Sequence, residues 1–503
     1  MNVNPITRLD YPDPDVIRVE DTYYMVSTTM HFMPGCEILQ SFDLVHWEHV
    51  TYVYETLDHT DAQQLKSGQN IYGQGMWAAS LRYHEGRFYI CFVANDTRKT
   101  YLYTSEKIDG PWKKQLIEGF YHDGSLLFDE DGRNYIVYGN DEIWITELNE
   151  DLTAPKKDGL HRLLVSDHKN PELGYEGSHI QKINGYYYIF LVHSLRDRWM
   201  RTEACFYSDS LEGEFTGGDV LCDDRGYCGQ GVAQGGIVDT PDGKWYAMLF
   251  QDSGAVGRIP ILLPVTWKDH FPFFGQNGHV PEEIEVHSTR PGYIYQPLVG
   301  SDDFCNGLLP RWQFNHDPDP RYYHLDALQG TYTITTREVC TELTQAVNTL
   351  TQRMSYPSCA AEVTVDASAL KEGDVAGLCA LQGCYAAVGI TKHHGKYEVL
   401  MLDKKEDGIL DMTEGTVVES HQMDFRLEAD FCNMKDEARC YYRVNKGDWL
   451  PIGTVHKLYF KLDHFTGCRF GLFCYAAEET GGSACFRDFK YYDVDESHKD
   501  RTA

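Results

Sequence analysis

The segments VIRVEDTYYMV (16–26), LRYHEGRFYIC (81–91), LLFDEDGRNYIV (126–137), IQKINGYYYIF (180–190) and IVDTPDGKWYAM (237–248) are five versions of one hairpin. Each has an apolar run, a turn carrying Asp or Gly, and a strand with Tyr at a fixed place. The shared tyrosines Tyr24, Tyr89, Tyr135, Tyr188 and Tyr246 are 65, 46, 53 and 58 residues apart. That period suits four-stranded propeller blades and is too long for solenoid repeats. Five copies predict a five-bladed β-propeller, with these tyrosines packing inside blades and carrying no chemistry.

A propeller gathers the first strand of every blade around its axis. Asp13 lies eleven residues before Tyr24, and Trp77, Asp123, Glu176 and Gln234 each lie twelve before their own tyrosine. Positions in one register converge, so three carboxylates, an indole and an amide are expected to face one another. Like charges gathered in a concavity cost energy and split one another's pKa values, which points to use. Hydrolysis of a glycosidic bond needs one protonated carboxyl at the leaving oxygen and one carboxylate on the opposite side. A negative Asp123 beside Glu176 would keep Glu176 protonated and leave Asp13 to deprotonate water. Environment sets these roles, so the residues alone rank them weakly.

Beyond residue 300 the repeat stops. TYTIT, AAEVTVDA, YAAVGITKHHGKYEVLML, RLEADF, LYFKL, CRFGLFCY and CFRDFKYYDV alternate with period two, which reads as an antiparallel β-sandwich of jelly-roll type. The whole is all-β: a catalytic propeller over 1–300 and a sandwich over 301–503, the boundary falling in the Pro- and Gly-punctuated HSTRPGYIYQPLVGSDDF. No long amphipathic helix is evident, and the polar tail after Asp495 is expected to fray.

Composition agrees. Lys and Arg number 45 against 76 Asp and Glu, a net charge of −31, so no nucleic acid and no membrane surface is expected as partner. Aromatic residues make up 13% and glycines number 44, favouring strands, turns and stacking surfaces for a neutral sugar. No apolar run approaches the roughly 20 residues of a membrane span, and Met1 to Asp10 lacks the pattern of a secretory signal, so a cytoplasmic location is expected. The 15 cysteines contain no Cys-x-x-Cys pair and read as small buried hydrophobes. No nicotinamide, flavin, phosphate or zinc requirement is expected.

The motifs NPITRLDYPDPDVIRVEDTYYMVSTTMHFMPGCEILQSFDLVHWE, YHDGSLLFDEDG, YEGSHIQKINGYYYIF and GGIVDTPDGKWYAMLFQDSGAVGRIPILLPVTW resemble glycoside hydrolase family 43. WQFNHDPDPRYY, LTQRMSYPS, GDVAGLC and TGCRFGLFCYA resemble the concanavalin A-like domain of its exo-acting β-xylosidases and α-L-arabinofuranosidases. The resemblance implies Asp13 as general base, Glu176 as general acid and Asp123 as the acid that tunes pKa and orientation. It implies single-displacement hydrolysis with inversion and no obligatory cofactor. Arg258 matches an arginine that contacts the sugar, and Trp77 is expected to stack on a ring face. Met30, His31 and Phe32 fall where xylosidases have an aromatic-rich rim, so they and Gln234 join the substrate-binding candidates. His122 and His179 read as ordinary hydrogen-bonded histidines.

Two further departures bear on the site. Trp77-Ala78-Ala79-Ser80 replaces the frequent Trp-Ala-Pro-Asp. Gln234 stands where a histidine associated with calcium is common, which leaves a structural calcium open but no metal ligand assigned. The expected substrates are hemicellulose-derived oligosaccharides with terminal arabinofuranose or xylose. Rival readings are a lectin-like glycan binder, a fructan hydrolase lacking its Asn-Asp-Pro-Asn-Gly signature, and an endo-arabinanase. The sandwich is expected to shape the pocket without catalysing; subunit number is left undecided.

Overall fold

The computed structural model describes residues 2–493, and the tail after Asp495 lies outside the described residues. Five four-stranded antiparallel sheets run from Asp15 to Phe274. Their first strands are Asp15–Val19, Met76–His84, Ser125–Phe128, Glu176–Ile183 and Ala233–Asp239. Each packs against the first strand of the next blade, and the fifth returns to the first, which closes the ring. The repeated turns make the first hairpin of each blade; Tyr135, Tyr188 and Tyr246 are buried between blades, while Tyr24 and Tyr89 are half-buried. The chain start is tied in where Asn2–Val3 pairs with Glu283–Ile284, and the Asn4 side chain donates to the Leu262 carbonyl at 2.7 Å.

Local irregularity lies where the axis register predicts function. Pairing of the first strand slips between Trp77 and Ser80, between Glu176 and His179, and between Ala233 and Gly236. Such bulges add twist and re-aim a side chain. Asp13, Asp123 and Gln234 have φ of 51°, 48° and 63°, a left-handed conformation that costs a non-glycine residue of the order of 1 kcal/mol.

Below that layer the axis is filled. Asp15 accepts from the Leu81 amide at 2.7 Å and from Arg82 Nη1 at 2.8 Å, and its other oxygen meets His179 Nδ1 at 3.2 Å. The Arg82 guanidinium, from blade two, also donates to Ser125 Oγ and Leu126 O of blade three and to Ile180 O of blade four. One partly exposed cation thus bridges four blades. The hydroxyl of Ser80, the residue in place of the frequent Asp, accepts the Leu126 amide at 3.1 Å and belongs to this layer.

The second half is a sandwich of a nine-stranded and a seven-stranded sheet around a large apolar core that includes Trp312, Phe425, Phe470 and Phe486. One strand of the nine comes from the propeller: Phe32–Met33 pairs with Gln313–Asn315. This corrects the expectation for Met30, His31 and Phe32. All three are buried at 0–1% exposure, Phe32 lies 3.4 Å from the Arg469 guanidinium, and His31 packs on Tyr72, His316 and His464. An apolar segment whose backbone completes a neighbouring sheet buries its side chains in the seam between the two halves. Arg353 reinforces the seam, donating to Asp10 O at 2.9 Å and pairing with Glu37 at 2.8 Å. Among the described residues no α-helix occurs, and all fifteen cysteines are unpaired, most of them buried.

Candidate active site

Asp13, Trp77, Asp123, Glu176 and Gln234 line one cavity of about 200 Å³ on the propeller axis, together with Arg258. The same cavity is lined by His122, Leu173, Trp199 and Arg201 from the propeller and by Leu462 and Phe465 from the sandwich. Met30, His31 and Phe32 do not reach it.

On one side stands Asp13. Its Oδ2 accepts the Thr28 hydroxyl at 2.5 Å and its Oδ1 accepts Arg258 Nη1 at 2.6 Å. Thr28 Oγ1 also accepts the Ala78 amide at 2.8 Å, tying the base of the Trp77 strand to Asp13. Arg258 Nε donates to Asp252 at 3.2 Å, and the other Asp252 oxygen takes Arg201. Four buried charges therefore form a chain that sums to zero. Burial pushes Arg201 down to about 9, and the charge of Arg258 adds to the effect. The Phe465 ring covers Arg258 at 3.7 Å and meets Trp77 edge-on at 5.0 Å, so a residue of the second domain closes the pocket over its sugar-facing groups.

Opposite stand Asp123 and Glu176. Asp123 Oδ2 accepts the Gly177 amide at 2.9 Å, and Glu176 Oε2 accepts Asn140 Nδ2 at 2.7 Å. His122 Nε2 lies 3.6 Å from each carboxylate. Burial raises Asp123 to about 6, with His122 opposing and the charges of Glu176 and Asp13 adding. Burial alone would raise Glu176 as well; the nearby imidazole of His122, then the charges of Arg201 and Arg258, outweigh it and hold the carboxyl below its usual range. His122 is raised to about 9, Asp123 being the largest cause. In the free site two guanidiniums and an imidazole face Glu176 and favour its ionised form, while burial makes Asp123 the carboxyl that holds a proton more tightly.

Gln234 is held through its backbone, whose amide donates to the buried Glu203 at 2.7 Å. Its side chain fills the space beside Gly177, where a Cβ would come within 2.7 Å of Gln234 Cγ and where φ is 66°. Glycine is required there for Glu176 to reach the axis. His122, Asp123 and Glu176 offer donor atoms within 4.8 Å of one another, but Arg201 and Arg258 share the cavity and oppose a cation. Deeper on the axis, the oxygens of Asp15, Ser125, Leu126 and Ile180 are engaged by Arg82. Arginine side chains thus already supply positive charge at both positions.

Carboxylates on both sides of a cavity the size of one sugar ring, with aromatic and guanidinium walls, define a glycosidase. The chain belongs to glycosyl hydrolases family 43, whose profile matches residues 3–272, and residues 301–492 match the β-xylosidase C-terminal concanavalin A-like domain. It is 27% identical to a β-xylosidase of Formosa agariphila, over 98% of this chain and 89% of that one. It is 26% identical to a non-reducing end α-L-arabinofuranosidase of Bacteroides ovatus, over 65% and 63%. Among solved structures, a bifunctional GH43-CE protein of Bacteroides eggerthii superposes with a TM-score of 0.90 at 42% identity, covering 98% of this chain and 63% of that longer one.

Sequence reasoning missed Arg201, Trp199, Leu173, Leu462 and Phe465, and it read His122 as a bystander. His122 precedes Asp123 directly and could have been found by adjacency. Leu173 and Trp199 lie in loops of blade four, Arg201 on its third strand, and Leu462 and Phe465 in the other domain, where no register marks them.

Proposed function

We propose that the protein releases single terminal pentoses, α-L-arabinofuranose or β-D-xylose, from hemicellulose-derived oligosaccharides with inversion at the anomeric carbon. The observation that carries this reading is the small cavity holding Asp13 against Asp123 and Glu176. About 200 Å³ is below the usual range for larger ligands, so a glycan ends there and does not run through. Asp13, fixed by Thr28 and Arg258, deprotonates water. Glu176 gives its proton to the leaving oxygen, while Asp123 and His122 hold that proton close to Glu176 until the bound sugar displaces solvent. Arg258, Arg201 and Trp77 hold the ring, and Phe465 keeps water out. The names of the relatives, one a β-xylosidase and one an arabinofuranosidase, support the pentose class. Cleavage uses no metal in this reading, and Arg82 supplies the axial cation.

The test is proton NMR of the first-formed sugar from nitrophenyl β-xyloside and α-L-arabinofuranoside, with Glu176→Gln and Asp13→Asn alongside. Inversion is expected. Glu176→Gln should fail on poor leaving groups yet retain activated aryl glycosides, and Asp13→Asn should fail on both. Retention of configuration, or no turnover of either pentoside by folded protein, overturns the proposal.

A further inference from the structure

The seven-stranded sheet turns one face to the sandwich core and the other outward. On the inner face lie Phe425, Leu427, Ala438 and Cys440. The outward face holds a cavity of about 560 Å³, larger than the catalytic one. Across it the strands align side chains in rows: Lys490, Glu362, Arg426 and Tyr441 in one, and Tyr492, Glu428 and Arg439 in the next. Trp449 adds an indole at the edge.

Three properties of these rows fix the ligand chemistry. An indole and two phenols lie half-buried on this outward face, with Arg426 5.5 Å from the Tyr492 ring, and a half-exposed ring offers a flat, partly apolar surface to stack on. Most of the charged groups are paired: Arg426 donates to Glu362 at 2.7 Å and to Glu428 at 3.0 Å, and Arg439 donates to Glu437 at 3.1 Å. Arg443 donates to Asp424 at 2.8 Å and lies 4.2 Å from the Trp449 ring. Paired charges cancel, so no strong field selects an ion, while the fixed donor and acceptor edges match the adjacent hydroxyls of a sugar. Flat rings with hydroxylated edges and no charge describe a neutral pyranose or furanose chain.

The geometry points to a second, non-catalytic binding site for a neutral oligosaccharide on the outward face of the sandwich, with Trp449, Tyr441 and Arg443 as its chief contacts. Holding a polymer there would raise the concentration of its chain ends near the catalytic cavity without changing the chemistry. The choice of a pentose polymer as probe rests on the proposed function; the site itself does not.

Native gel electrophoresis of the full-length Glu176→Gln chain through soluble arabinoxylan tests it. Retardation is expected, persisting at about 1 M salt, and weakening about tenfold in Trp449→Ala and in Tyr441→Ala. On the active background both substitutions should leave turnover of aryl pentosides unchanged. Absence of retardation, retardation unaltered by both substitutions, or retardation abolished by salt overturns the site. Loss of aryl pentoside turnover in the parent chain with retardation intact would overturn the hydrolase reading alone.

Discussion

Asp252→Asn is the sharpest test of the charge chain behind the candidate base. Asp252 is 1% exposed and lies between Arg258, at 3.2 Å, and Arg201. With Asp13 the four groups balance. The amide keeps the shape of the carboxylate but leaves one positive charge uncompensated in a buried site, a change that costs about 3–5 kcal/mol where a surface pair would cost ~0–1. Part of this is expected as lost stability, since burial already pushes Arg201 down to about 9. The rest falls on the reaction, because Arg258 then leans wholly on Asp13 and makes it a weaker base. If about 3 kcal/mol reaches the transition state, kcat/KM falls roughly 100-fold. The assay is steady-state turnover of nitrophenyl pentosides with the rate of thermal inactivation measured in parallel, since two domains preclude a single unfolding free energy. Adding Arg201→Met to Asp252→Asn removes the surplus cation and should restore most of the lost stability. A kcat/KM for Asp252→Asn within about threefold of the parent would refute the charge-chain argument.

Other consequences are equally direct. His122 is raised to about 9 from 6.5 by Asp123, so its stabilisation is complete below about pH 6.5 and is lost as pH rises through 9, up to ~3 kcal/mol. Thermal inactivation should accelerate over that window in the parent and do so far less in His122→Asn. Phe465→Ala removes the ring over Arg258 and beside Trp77; a loss of about 2 kcal/mol, or ~30-fold in kcat/KM, is expected, with circular dichroism unchanged. A chelator should leave turnover intact, and complete, reversible inhibition by it would contradict a metal-free cleavage step.

The propeller was legible because its hairpins repeat, and a repeat converts a local pattern into a radial position. Asp13, Trp77, Asp123, Glu176 and Gln234 are assignable to one cavity from the chain alone, since strands starting at one register must meet at the axis. Nothing comparable marks Arg201, which reaches the cavity from the third strand of blade four, or Phe465, which arrives from a loop of the sandwich. Met30 to Phe32 show the opposite error. An aromatic and a histidine close to a site in the chain suggest a rim, but their backbone pairs with Gln313–Asn315, and that pairing is a property of the other domain. The pull on Glu176 was legible only in part: His122 stands beside Asp123 in the chain, whereas Arg201 and Arg258 come from later strands with no signature beside the acid.

The Arg82 guanidinium separates the catalytic cavity from a second hollow of about 410 Å³ at the far end of the axis, lined by Arg18, His84 and Trp245. A pocket filled at that end is expected to have a single doorway. A glycan end must enter, and the freed sugar must leave, through the same mouth beneath Phe465 and Leu462. Each released ring blocks the next chain end until it departs. Turnover is then paced by traffic as well as by chemistry, and the free pentose should act as a competitive inhibitor whose grip weakens when Phe465 is trimmed.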